Sequence, residues 1–95
     1  MNVFLIAYDL IKPGEDYPDL ITTIKGISGS WCHLEESVWL TKTDSTVTST
    51  SIRDTIQSAS DSNDKIFVAE VTGDSMAWRN LGDEISDWIK SNFNG

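Results

Sequence analysis

The sequence predicts a small α+β domain. Three observations carry that expectation. Short apolar runs rich in β-formers alternate with segments whose apolar residues recur at helical spacing. Turn residues separate the runs at regular intervals. The 95 residues suit a single domain, 1–95, and leave little room for two.

Val3 to Tyr8 is a continuous apolar run, as expected of a strand buried on both faces. Asp9 ends it, and Lys12-Pro13-Gly14 breaks the chain. A helix is expected next, with Asp16 as its N-cap and Pro18 and Asp19 in its first turn. Tyr17, Leu20, Ile21, Ile24 and Ile27 make one apolar face, and Gly26 and Gly29 mark the exit. Trp31 to Glu35 and Val38 to Thr43 are two short strands, and the tight link Glu36-Ser37 makes them a hairpin. Trp31, His33 and Glu35 share one face of the first strand, while Cys32 and Leu34 share the other.

The Ser/Thr-rich stretch that follows leads into a helix over about Thr48 to Ala59, with Ile52, Ile56 and Ala59 at helical spacing. Its β-branched and hydroxyl residues give poor propensity, so it must depend on packing. A polar turn over Asp61 to Asp64 precedes a strand from Lys65 to Thr72, ended by Gly73-Asp74. A last helix is expected from about Leu81 to Phe93, with Trp78, Leu81, Ile85, Trp88, Ile89 and Phe93 as its stripe. The order is β-α-β-β-α-β-α. Its first six elements follow the ferredoxin-like βαββαβ pattern, with an added C-terminal helix. Two helices then cover one sheet face. The first and fourth strands are apolar on both sides, so the other face also needs a cover. Either the last helix or a second copy of the chain supplies it.

Composition narrows the function classes. The chain carries 15 acidic and 7 basic residues, a formal charge of −8. This charge repels nucleic acid at long range, and the scattered cations form no basic stripe for counterion release. Nucleic acid is thus a disfavoured partner. One cysteine allows neither an intrachain disulfide nor a Cys-x-x-Cys pair. The apolar N-terminus is too short for a signal peptide or a membrane span, so the expected location is the cytoplasm. No phosphate-binding glycine motif occurs.

Few residues suggest chemistry. Asp9 follows a buried strand, where a carboxylate either binds Mg²⁺ or hydrogen-bonds the next turn. Two copies across a dimer axis could share one ion. Glu70 interrupts an apolar strand and either pairs with a cation such as Lys42 or faces water. His33, the only histidine, is a general-base candidate or a strand-surface residue. Cys32 reads as a small buried hydrophobe. Trp31 and Trp39 either stack unpaired bases or pack in the core. Core packing also accounts for Trp78 and Trp88.

Two segments, Tyr8-Asp9-Leu10 and Ser37-Val38-Trp39, sit on this element order. Together with Lys12-Pro13-Gly14 and the run Asn63 to Gly73, they resemble the CRISPR-associated protein 2 superfamily, its SinR-like branch in particular. The resemblance covers most of the chain up to about Asp74. It implies a ferredoxin-like homodimer linked to antiviral defence. It also implies a metal role for Asp9 in a Mg²⁺-dependent endonuclease, acting on RNA before DNA. Ser37, opening the third strand, would help orient substrate. The acidic charge balance supports the alternative: a catalytically silent protein-binding module of a defence or toxin–antitoxin system. The family's basic residues after the first strand are replaced here by Lys12-Pro13-Gly14-Glu15-Asp16.

Overall fold

The computed structural model describes residues 1–10, 17–60 and 62–92, with the side chain of Tyr17 left aside. The expected cap Asp16, the break Lys12-Pro13-Gly14, Asp61 and Phe93 lie outside the described residues. Among the described residues seven elements run β1 (Asn2–Asp9), α1 (Tyr17–Ile27), β2 (Ser30–Glu35), β3 (Val38–Thr43), α2 (Ser49–Ser58), β4 (Lys65–Glu70) and α3 (Asp83–Asn92). The result is a mixed α+β structure with one four-stranded antiparallel sheet, ordered β2-β3-β1-β4, and three helices. No helix among the described residues is long and apolar enough to cross a membrane.

The period-two alternation of β1 sorts its side chains onto two layers. Phe4, Ile6 and Tyr8 face α1 and α2, which contribute Leu20, Ile24, Ile52 and Ile56 to a buried cluster completed by Leu10 and Trp39. Val3 and Leu5 face the other way, onto a cluster with Cys32, Leu40 and Ile89. The last part of the chain covers that second face. Val71, Met76, Trp78, Leu81, Ile85 and Trp88 all pack on it. The last helix thus lies on its own sheet, one of the two covers expected from sequence.

Local chemistry explains the element ends. Thr48 caps α2: its Oγ1 accepts the Ser51 N–H at 3.1 Å, and Ser51 Oγ accepts the Thr48 N–H at 3.0 Å. The cap and the buried pair Ile52 and Ile56 hold a helix of weak propensity. The last helix begins two residues later than expected. Asn80 and Gly82 have φ of 65° and 84°, a left-handed backbone that a helix starting at Leu81 excludes. Trp78 and Leu81 therefore reach the core from an irregular segment, not from the helix stripe. β4 ends at Glu70 rather than Thr72 because a side chain replaces the ladder there. Val3 N–H donates to Thr72 Oγ1 at 2.9 Å, while Val71 N–H donates to Val3 O at 2.8 Å.

Two further expectations change. Among the described residues β4 pairs only with β1 and is a sheet edge, and the cover expected on its second face is incomplete: Phe67 is 61% exposed. Glu70 does not pair with Lys42. Glu70 stands opposite Phe4 and Lys42 opposite Val3, which puts them on opposite sheet faces with β1 between their strands. Glu70 is exposed, the other of the two expected outcomes.

Candidate functional site

The end of β1 is held from both sides. Ala7 pairs with Val38 on β3, and the Tyr8 N–H donates to Ser37 O at 3.1 Å. On the other side Ala7, Tyr8 and Asp9 stand opposite Phe67, Ile66 and Lys65 of β4. The structure therefore brings the two sequence-derived candidates, Asp9 and Ser37, to one end of the sheet. The bond runs from the N–H of Tyr8, the neighbour of Asp9, to the carbonyl of Ser37 itself, in the turn between β2 and β3.

Alternation along the strands places Ala7, Asp9, Lys65 and Phe67 on the same face. A shallow cavity of about 280 Å³ lies there, lined by these four with Tyr8 and Ile66. Asp9 is exposed, and its cross-strand neighbour is Lys65. Opposite charges at such positions attract, worth roughly 0.2–1 kcal/mol. The surface thus carries one carboxylate, one ammonium and one exposed phenyl ring.

Among the described residues, that donor set does not by itself complete a Mg²⁺ site. Mg²⁺ takes oxygen ligands, commonly one or two carboxylates with water. Here a cation stands directly across from Asp9, where a second carboxylate would serve the ion. Among the described residues no group of three or more His, Cys, Asp and Glu gathers to hold a metal.

The remaining candidates sit elsewhere. His33 stacks on Trp39, with ring centroids 3.9 Å apart and planes 11° from parallel. Its Nε2 lies 2.9 Å from Glu36 O. Cys32, one residue away, is buried on the opposite face with Val3 and Leu40. Burial pushes its thiol up, and the Glu84 carboxylate adds to the shift. Trp39 is buried in the helix-side core. Trp31 is 39% exposed, packs 5.5 Å from Trp39, and carries the Lys25 ammonium 4.6 Å over its ring. Trp78 and Trp88 pack under the last segment, and each indole N–H has a serine partner: Ser86 Oγ at 3.1 Å and Ser30 Oγ at 2.8 Å.

Lys65 and Phe67 are the members of this surface that sequence reasoning missed. The signal was the first and third positions of the fourth strand. Reading it needed the β1–β4 register, which no local pattern supplies. Comparisons with protein-family models, with curated proteins and with solved structures gave no match.

Proposed function

We propose that the chain is a ferredoxin-like, CRISPR-associated-protein-2-like domain that works as a homodimer and binds protein rather than cleaving nucleic acid. The sheet order β2-β3-β1-β4, with α1 and α2 on one face, supports the ferredoxin-like part. The observation that carries the dimer is Phe67, 61% exposed on an edge strand beside Asp9 and Lys65. An apolar group of this size on an edge invites a partner. A carboxylate and an ammonium side by side are self-complementary about a two-fold axis, because each Asp9 can meet the Lys65 of the other copy.

Magnitudes bound the strength of this contact. Burying two Phe side chains contributes roughly 3–6 kcal/mol. Association costs roughly 4–15 kcal/mol. Phe67 alone therefore does not hold a tight dimer, and the β4 edge must contribute the rest. The acidic surface, with a formal charge of −8, supports a protein partner over a nucleic acid.

Asp9 favours a second reading, metal-dependent cleavage of RNA. It is exposed at a strand end, next to a turn carrying Ser37. The described residues of one chain gather no further carboxylate at Asp9, so that reading draws on the Asp9 of both copies.

Two measurements test this proposal: sedimentation tests the dimer, and the cleavage assay separates the two readings. Sedimentation of the wild type and of Phe67→Ser is expected to show a dimer that dissociates on dilution and a monomer, respectively. Labelled single-stranded RNA and DNA are incubated with the wild type and with Asp9→Ala, with and without Mg²⁺. Equal traces for both proteins are expected. Metal-dependent cleavage lost in the variant establishes the nuclease instead.

A further inference from the structure

The sheet has a second edge, β2, away from the surface just described. Among the described residues β2 pairs only with β3, and that pairing shifts register between His33 and Glu35. The segment Ser30 to His33 is thus a regular strand with one open side. A cavity of about 270 Å³ lies between this edge and α3, lined by Trp31, Cys32, His33, Glu84, Ile85 and Trp88.

The register divides these linings by chemistry. Trp31 and His33 stand opposite Thr41 and Trp39, on the face covered by α1 and α2, whereas Cys32 packs with Leu40 and Ile89 on the α3 side. The α3 side therefore offers an apolar wall of Ile85 and Trp88 and one carboxylate, Glu84. The indole N–H of Trp88 is taken by Ser30, so its ring serves as apolar surface. Glu84 lines the same cavity as Cys32, and its charge adds to the upward shift of that thiol. The two elements carry further exposed acids: Glu35 and Glu36 at and after the end of β2, and Asp83 and Asp87 on α3. An apolar wall ending at a carboxylate matches a lysine or arginine side chain, whose alkyl stem packs while its head stays charged.

We propose that the β2 edge takes an extended basic peptide segment as an added strand, with one lysine or arginine seated between β2 and α3 against Glu84. Backbone hydrogen bonds to the open side of β2 supply affinity, and the pocket supplies selectivity at alternate positions. The flanking residues of the added strand fall toward the face of Trp31. Lys25 already covers that ring, so those positions require small uncharged residues. The partner motif is therefore alternating, basic then small. This inference deepens the protein-binding reading but uses the edge opposite the dimer contact.

The test uses the full chain and a fluorescein-labelled peptide of alternating Lys and Thr, followed by anisotropy. Binding is expected to weaken about tenfold or more in both Glu84→Lys and the milder Glu84→Gln, with far-UV spectra confirming that each variant is folded. A peptide N-methylated at every second amide is expected to lose binding, because it cannot extend the sheet. An alternating Glu and Thr peptide is expected not to bind. The monomeric Phe67→Ser variant is expected to bind like the wild type, which separates this inference from the dimer. Several results overturn it: no binding of the Lys-Thr peptide, equal binding of the N-methylated peptide, or equal binding by the Glu84 variants. Single-stranded RNA competing at the same site also overturns it.

Discussion

Trp39 donates its indole N–H to the Tyr8 hydroxyl at 3.0 Å, inside the core between the sheet and the two covering helices. Both residues are almost fully buried, on neighbouring strands. Burial of two such aromatic side chains is favourable only if their polar atoms find partners. This bond therefore helps to fix how β1 and β3 meet next to Asp9 and Ser37.

Tyr8→Phe tests that role. It leaves the buried Trp39 N–H without this acceptor, at a cost of about 1–3 kcal/mol. The urea midpoint is expected to fall with an unchanged slope. A midpoint equal to the wild type would mean that the indole finds another partner at no cost.

Thr41 gives the opposite sign. Its side chain is fully buried, and Oγ1 has no hydrogen-bond partner among the described residues. The similarly shaped Thr41→Val removes the buried hydroxyl and is expected to stabilise the fold by about 1 kcal/mol. A rise in thermal midpoint checks it, and a fall would show that the hydroxyl contributes to the native state.

Helix α2 depends on packing and capping rather than propensity. Ile56→Ala opens a cavity in the fully buried helix-side cluster and is expected to cost about 2–5 kcal/mol. Thr48→Ala removes the cap acceptor for the Ser51 N–H and is expected to cost about 0.5–2 kcal/mol. Urea unfolding of both variants, with Ile56→Ala the more damaging, checks the ordering.

Cys32 sets a pH dependence. Burial, then the Glu84 carboxylate, raises the folded thiol above its ordinary value. The unfolded chain thus releases this proton first. Between the ordinary value and the raised one, the folded state binds more protons, so stability falls as pH rises. Below the ordinary thiol range the group contributes no slope. The wild type's advantage over Cys32→Ala is expected to shrink as pH rises above the ordinary thiol value of about 8.5. An advantage independent of pH would contradict the shift.

Most of the secondary structure is local and was legible. The β1 run, the α1 stripe of Leu20, Ile24 and Ile27, the hairpin around Glu36-Ser37 and the cap at Thr48 each rest on neighbours within a few residues. The opposite facing of Cys32 and His33 followed from strand alternation alone. The late start of α3 was hidden, because the left-handed backbone at Asn80 is a conformation that asparagine adopts only in particular contexts.

The pattern of the sequence by itself determined which segments are strands and helices, which side chains share a face, and that the chain is acidic. It also marked Asp9 and Ser37 as positions flanking strand ends. Only the tertiary structure decided what those residues meet. The pairing of Asp9 with Lys65, the exposure of Phe67 on an edge, and the separation of Glu70 from Lys42 all depend on the register and order of strands far apart in the chain. Local propensity is set by neighbours within a turn or a strand. Strand order is set by how two apolar faces are buried at once, a condition on the whole chain.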